Sequence, residues 1–580
     1  MKYRWLPAPA QPLLTGQLAS QLKLSCLFAQ CLVNRGLSEP AAIESFLHPR
    51  LKDLADPFRL PNLSAAVERL LHARAAGEAL VIFGDYDVDG VTSTTLLTEV
   101  LGALGWSVSA YLPHRMDEGY GLSQDGVESC LKKFPTRLML AVDCGSTAVE
   151  TIAWLKERGV DVIVVDHHQI SSPPPGAVAL VNPQLAGLNA RPATGYTELC
   201  SVGLAFKLAH ALIKRGRETG IPGAAEFDLR PLLDLVALGT ISDLVPLVGE
   251  NRILVAAGLE RLNRTRRPGL VALKHVAQCP PTLGTYEVGF QLGPRLNAAG
   301  RLETAEESLR LLLARDGSEA MPIAQRLDSQ NRERQRIERG IMEEVAGAVL
   351  ARFNPKTDFV IVEGQSLWHI GVVGIVASRV LQEFYRPTII VGGDGNQWRG
   401  SGRSIAGFDL AAALRECDDL LIRHGGHAMA AGITIHPDQL DAFRSRLNDL
   451  ARRRLKLEDL QPPLRLDAEV SLGEISITSL AELERLKPTG MGNPMVQCFA
   501  RDLTHQRPLL RMGAEKQHVK LWFTDGATIH EAVWWNAGQE SLPVGKFDVA
   551  FAPQINDYNG KKTVQLKVLA WRPADGLPPG

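Results

Sequence analysis

The stretch VIFGDYDVDG at residues 81–90 sets Asp85, Asp87 and Asp89 on alternate positions directly after an apolar run. Asp143 in AVDCG, Asp166-His167-His168 after VIVV, and Asp243 in GTISDLVPL repeat the theme of acid at the end of an apolar stretch. An unpaired buried carboxylate is costly, so several of them converging need compensating positive charge. These motifs contain no lysine or arginine, which leaves metal ions. Oxygen donors with one or two imidazoles and no thiolate suit Mn²⁺ or Mg²⁺ better than structural Zn²⁺. Two ions about 3.5–4 Å apart, sharing a bridging carboxylate, would acidify a water for attack on phosphorus. The chemistry expected is hydrolysis of a phosphate ester or anhydride. One D-x-D-x-D loop alone is also turn chemistry, and His-His alone is an ordinary polar strand end. Turn preference does not explain acids recurring after three successive strands.

The elements that must position these residues can be read from periodicity. From about 78 to 185, apolar runs (ALVIFGDYD, SVSAYLPHR, LMLAVDCG, VDVIVVDHH, LVNP) alternate with helical patterns, which predicts βαβ crossovers and a parallel sheet covered on both faces. Ligands in such sheets gather beyond the carboxyl ends of the strands. Residues 195–275 read as helical. A long charge-rich pattern from about 303 to 350 reads as a solvated connector helix. A second α/β unit runs from DFVIVEG through GVVGIVASRVLQEF and TIIVGG to HAMAAGITI. Past 465, short strands with an Asn559-Gly560 hairpin turn indicate a small all-β barrel or sandwich.

Composition limits the function classes. The 580 residues, 45% hydrophobic and 22% charged, describe a packed, multi-domain, water-soluble chain. The formal net charge of -1 means that any basic surface for a polyanion must be local. Eight scattered cysteines without a C-x-x-C pair read as reduced thiols of a cytoplasmic protein. Neither a signal core nor a membrane-spanning apolar run is evident in the sequence.

GDYDVDG, VDCG, Asp166-His167-His168 and GGHAMAAG (425–432) together resemble the DHH phosphoesterase superfamily. YLPHRMDEGYGL, GTISDLVPL, GPRLNAAGR and LDSQNRERQ resemble, within it, the bacterial single-strand-specific 5'→3' DNA exonucleases. The resemblance implies a segment at 1–45, a parallel-sheet DHH catalytic domain at 46–305 and a connector helix at 306–352. A second α/β, DHH-associated substrate-binding domain at 353–458 and an all-β OB fold at 465–575 complete the implied order. It implies one ion on Asp85, Asp87 and Asp143, and a second on Asp89, Asp143, His167 and Asp243, with Asp143 bridging and His168 beside the scissile phosphate. Much of the superfamily opens the first motif with a histidine; position 83 is Phe here, and Asp85 is expected to substitute.

Arg115, Arg295, Asn297, Arg301, Ser378 and Arg403, with the glycine-rich Gly425-Gly426-His427, are the candidates for holding a 5'-terminal phosphate. Trp535, Tyr558 and Lys561 are the candidates for single-strand contacts on the OB fold; Trp534 and Trp535 alternate, so both cannot face the strand. The resemblance further implies a monomeric protein of DNA repair and recombination, working with a helicase and a single-strand-binding protein. Two rival readings share part of this pattern. One is a DHH hydrolase of short oligonucleotides or cyclic dinucleotides, which has no need of the β domain; the other is a non-catalytic single-strand-binding replication scaffold.

Overall fold

The computed structural model describes residues 2–574 except 116, 189–196, 394, 539, 542 and 559, and leaves the side chains of 186–188 and 558 undescribed. Its first sheet consists of β1 (Leu80–Gly84), β2 (Val108–Tyr111), β3 (Leu138–Val142), β4 (Asp161–Val165) and β5 (Ala179–Val181). All pairings are parallel, in the order β2-β1-β3-β4-β5. β1 and β3 are apolar and buried throughout because helices cover both faces. Leu80 and Ile82 enter one core, Val81 and Phe83 the other. The chain leaves β1 for β2 on one side and returns for β3 on the other. This order has its crevice between the carboxyl ends of β1 and β3, where Asp85 and Asp143 lie.

Helices α1 (Val88–Ala103), α2 (Ser201–Thr219), α3 (Leu233–Ser242), α4 (Gly249–Asn263) and α5 (Gly293–Leu302) complete the catalytic domain. The connector α6 (Gly317–Arg352) is 36 residues long. Glu306–Leu313 is a separate helix, because Asp316 caps α6 by accepting from the Ser318 and Glu319 amides. The expectation of a solvated connector is corrected by its packing. Ile323 and Leu327 enter the catalytic core, and Ile341, Val345 and Val349 enter the core of the second domain. Between them Asn331, Arg334 and Glu338 are buried, with Arg334 bonded to Asn331 Oδ1 at 2.8 Å and Glu338 Oε2 at 2.7 Å. Arg379 of the second domain pairs with the same Glu338. The charges in this sequence window therefore include an internal polar joint as well as a wet face.

The second domain contains β6 (Ile361–Ser366), α7 (Val373–Phe384), β7 (Thr388–Gly393), β8 (Trp398–Arg403), β9 (Arg423–Gly426) and β10 (Ala430–Ile435). Their order is β9-β10-β8-β7-β6, and only β6 and β7 pair in parallel. The C-terminal strands are β11 (Cys498–His505), β12 (His518–Thr524), β13 (Ile529–Trp534), β14 (Phe547–Tyr558) and β15 (Lys561–Pro573). They close in the order β11-β12-β13-β15-β14-β11, with β13 and β15 parallel. This is the Greek-key OB barrel. Among the described residues, no helix is long and apolar enough to cross a membrane.

Residues 1–45, a bare segment in the sequence reading, fold onto this barrel. Strand Arg4–Pro7 pairs in parallel with Pro463–Leu466, and Leu18, Phe28, Leu32 and Ile43 share one core with barrel residues such as Leu521 and Phe547. Arg252 of α4 joins this unit to the catalytic domain. The residue is 2% exposed, and its guanidinium stacks 3.7 Å over the Phe46 ring and donates to the carbonyls of Phe46, Arg485, Leu486, Lys487 and Pro488. Burial, reinforced by Arg35, pulls its pKa down to about 10. Arg252→Met would leave those carbonyls without their charged donor, a loss of about 3 kcal/mol. Calorimetry should show an earlier first unfolding transition, and limited proteolysis should open the 485–495 connection. An unchanged transition would deny this joint its role.

Candidate metal and phosphate site

The site starts where strands stop. Asp85 follows β1, and its Oδ1 accepts from the Tyr86 amide at 2.9 Å. Asp87 caps α1, its Oδ1 accepting from the amides of Asp89 at 2.9 Å and Gly90 at 3.1 Å. Asp89 lies in the first turn of α1 and turns toward α2, whose Ser201 and Val202 amides reach its two oxygens at 2.7 and 2.8 Å. Asp143 follows β3 in a left-handed conformation, φ 62°, uncommon for a residue other than glycine but one that aspartate tolerates better than most. Asp243 caps the carboxyl end of α3.

His167 brings the halves together. Its Nε2 is 3.9 Å from Asp89 Oδ2, 3.6 Å from Asp143 Oδ1 and 3.5 Å from Asp243 Oδ2. Three donor groups lie close enough to grip one ion each: Asp85, Asp87 and Asp143; Asp89, His167 and Asp243; and Asp143, His167 and His168. Asp143 belongs to two of them.

Their electrostatics show what is missing. Burial, reinforced by Asp87, raises Asp85 to about 8 and Asp89 to about 7; burial with Asp89 raises Asp243 to about 9, and Asp143 also rises well above the carboxylate range. Asp143 Oδ1, Asp243 Oδ2 and His167 Nε2 are buried without a hydrogen-bond partner. Three orphaned donors aimed at one another fit divalent cations.

His168 is held differently. Its Nδ1 is 2.8 Å from Asp166 Oδ1, which also receives the His167 and His168 amides at 2.8 and 3.1 Å, while the Ser146 amide reaches Oδ2. Burial would raise Asp166, yet these bonds, led by His168, hold it well below the carboxylate range. Burial would lower His168, yet Asp166 raises it to about 9. Nε2 is left facing the cleft, 3.4 Å from the Tyr120 hydroxyl. Asp166 and Tyr120 were not singled out from sequence as site residues. Asp166 had a signal, because it heads the Asp-His-His motif directly before the two imidazoles.

Across the cleft, the phosphate candidates divide. Arg115 stacks 5.1 Å over Tyr86, Arg301 donates to the Gly371 carbonyl at 3.1 Å, and Arg403 of β8 donates to Ser401 Oγ and the Gly402 carbonyl. None of the three has an ion pair among the described residues. Arg301 is depressed to about 10, first by burial and then by Arg115; Arg403 and His369 are lowered by burial and by the same Arg115 charge. An unneutralised basic pocket thus spans both domains. Arg295 is placed elsewhere: Asp328 at 2.9 Å and the Gln291 carbonyl at 2.7 Å engage it as a strut to α6. Asn297 Oδ1 accepts from the Val88 amide at 3.1 Å and steadies the start of α1. Ser378 bonds back to Gly374 at 3.1 Å on α7. Gly425 and Gly426 end β9 and His427 begins the exposed turn to β10, brought beside Arg403 by the Ala430–Arg403 register. Gly426 has φ +138° and a Cβ there would lie 2.5 Å from the Ala430 carbonyl, so only glycine fits. The His427 amide is already bonded to Ala430.

On the barrel, Trp535 is 47% exposed, edge-on to His518 at 4.7 Å, while Trp534 packs against the core. Lys561 is exposed. The Tyr558 side chain lies outside the described residues. Trp522 was missed: Val519, Leu521 and Phe523 point inward, so period two sends Lys520 and Trp522 outward, with the Arg507 guanidinium 5.4 Å above Trp522. The alternation in HVKLWFT contains that signal.

Comparison with known proteins agrees with this architecture. The DHH family N-terminal domain matches residues 79–240, the DHHA1 domain 357–453 and the RecJ OB domain 466–570. The single-stranded-DNA-specific exonuclease RecJ of Bacillus subtilis is 37% identical over 98% of this chain and 70% of its own length. Its Escherichia coli counterpart is 34% identical over 88% and 90%. The crystal structure of Thermus thermophilus RecJ in complex with Mn²⁺ superimposes with a TM-score of 0.82 at 31% identity, covering 98% of this chain and 80% of that one. Identity at this level across all the domains, in one order and around one donor cluster, makes the chain a member of the RecJ family.

Proposed function

We propose that this protein is a divalent-metal-dependent exonuclease that hydrolyses single-stranded DNA from its 5' end, acting in the cytoplasm in recombination and repair. The observation that carries this reading is the orphaned trio Asp143 Oδ1, His167 Nε2 and Asp243 Oδ2 at the sheet's switch point, facing an unpaired arginine pocket. Asp85, Asp87 and Asp143 would hold one Mn²⁺ or Mg²⁺, and Asp89, His167 and Asp243, with Asp143 close by, would hold another. When bound, the ions supply an acidified water and neutralise charge developing on the phosphate.

The protein's own groups do the rest. His167 is kept neutral, burial and the charge of His168 lowering it to about 4, so its Nε2 lone pair is free for a ligand bond. His168, protonated at neutral pH with Nδ1 fixed by Asp166, presents Nε2–H to the leaving oxygen and gives up its proton as the P–O bond breaks. Arg115, Arg301 and Arg403 grip a terminal phosphate, which makes the enzyme read an end. Outward residues of β12 and β13 and the neighbouring loops of the OB barrel hold the downstream strand. Duplex DNA then requires a helicase, and single-strand-binding protein keeps the product strand available.

Two sets of measurements test this reading. Mn²⁺ at a hundred times its dissociation constant should stabilise the wild-type protein by about 2.7 kcal/mol. Asp143→Ala should lose that response and at least about a hundredfold in kcat, while its metal-free Tm is no lower than wild type, because a repelled carboxylate has been removed. Full nuclease activity in Asp143→Ala would sink the mechanism. An oligonucleotide labelled at either end, with and without 5' phosphate, should be shortened from the 5' end, and Arg115→Ala should erase preference for the phosphate. Binding should weaken with salt at a slope of about -0.7 per phosphate contacted. Preference for a dinucleotide over the long strand would favour the short-oligonucleotide hydrolase instead.

A further inference from the structure

The edge strand β5 runs out into Val181-Asn182-Pro183-Gln184, a stretch without an acid or an imidazole. It nonetheless holds all three residues of the Asp-His-His turn. The Val181 carbonyl accepts from the Asp166 amide at 3.1 Å, Gln184 Nε2 donates to the His167 carbonyl at 2.7 Å, and Asn182 Nδ2 donates to the His168 carbonyl at 2.8 Å. The peptide units on which both imidazoles stand are therefore tied to one neighbouring strand end.

Asn182 is fully buried, and its second N–H reaches the other loop of the site, donating to Ser146 Oγ at 2.9 Å. Ser146 follows Asp143 by three residues, and its amide donates to Asp166 Oδ2 at 3.0 Å. One side-chain amide thus bridges the loop after β3, which carries Asp143, and the turn after β4, which carries His167. Its orientation is forced. Oδ1 accepts from the Gln184 amide at 2.9 Å, a local turn across Pro183. A carbonyl can only accept and a backbone amide only donate, so the nitrogen must face His168 and the oxygen Gln184.

These ties matter because of what they hold together. Asp143 Oδ1 and His167 Nε2 lie 3.6 Å apart, and both are buried without a hydrogen-bond partner. Leaving such groups unbonded is unfavourable, so nothing in the pair itself keeps them close. The bonds from β5 do. Resting on the divalent-metal reading, we propose that Asn182, assisted by Gln184, is a positioning residue for the metal centre, setting the separation of Asp143 and His167 before an ion arrives. Binding an ion then needs little further ordering of its ligands. Asn182 and Gln184 act through the backbone carbonyls of the two histidines and through Ser146, so their contribution is to geometry.

Mn²⁺ titration of the full-length protein, followed by electron paramagnetic resonance of the free ion, tests this without turnover. Gln184 is exposed, so Gln184→Ala should keep the metal-free Tm of the wild type while its Mn²⁺ affinity falls about tenfold. Asn182→Ala should lose about a hundredfold, the upper end of what removing a partner behind a metal ligand costs. Asn62→Ala is the control. It removes a side-chain bond of 2.9 Å to the Leu180 carbonyl of the same strand, remote from the Asp-His-His turn, and should leave Mn²⁺ affinity unchanged. Should Asn182→Ala not fold, Gln184→Ala and Asn62→Ala decide the question between them. Wild-type affinity in Gln184→Ala and Asn182→Ala would overturn the proposal. So would an equal loss in Asn62→Ala, which would mean that any loosening of β5 has the same effect. A wild-type protein that binds no Mn²⁺ would instead overturn the metal reading itself.

Discussion

Mutual repulsion among buried carboxylates is the constraint around which this molecule is arranged. Asp85, Asp89 and Asp143 are each no more than 2% exposed, and Asp143 feels Asp89, Asp87, Asp85 and Asp243 together. Such a group cannot contribute to folding stability as it stands; it persists because stronger elements impose it. The fully buried parallel strands β1 and β3 fix Asp85 and Asp143, and two helix starts, those of α1 and α2, supply amides to Asp87 and Asp89. These amide dipoles offset part of the repulsion. They leave Asp143 Oδ1 and Asp243 Oδ2 unsatisfied, so the group is relieved by taking up protons or divalent cations.

The same constraint determines how the domains are joined. The basic pocket made from Arg115 and Arg301 of one domain and Arg403 of another gathers like charges that would push the domains apart. Buried polar joints resist this. Glu338 on α6 takes Arg334 from its own helix and Arg379 from the second domain, and Arg301 itself donates to Gly371 across the cleft. The Arg252 bonds hold the barrel unit against α4 in the same way, with backbone carbonyls in place of carboxylates. Directional bonds fix a relative orientation that a greasy interface would leave free to slide.

How much of this was legible depends on the range of the interaction. The strands of the first sheet, the ends of those strands and the acids on them are local features, and their periodicity stands in the sequence. The OB barrel's short strands were equally readable. What the sequence withheld was long-range: that residues 1–45 complete the barrel core, that Glu306–Leu313 separates from α6 at the Asp316 cap, and that Arg295 is engaged by Asp328. An arginine near a phosphate motif has the same local pattern whether a carboxylate on a distant helix awaits it or not. Trp522 is the contrary case, a residue whose outward direction was local and readable but overlooked beside the more conspicuous Trp534-Trp535 pair.

The adjacent histidines show how finely the backbone can divide one motif. His167 and His168 are neighbours with rings 4.5 Å apart, yet burial and the charge of His168 lower the first to about 4 and the Asp166 bond raises the second to about 9. Each shift supports the other, because a cationic His168 discourages protonation of His167 and so preserves the lone pair that a metal ligand requires. The single group that decides this is Asp166. It sits where β4 ends, takes three N–H donors on one oxygen and the Ser146 amide on the other, and thereby lies below the carboxylate range while burial raises Asp85, Asp89, Asp143 and Asp243. A carboxylate that the sequence shows only as the head of the Asp-His-His motif is, in the fold, the group that makes its two neighbours chemically different. The difference between His167, lowered, and His168, raised, then follows from strand β4 and the turn after it, before any substrate arrives.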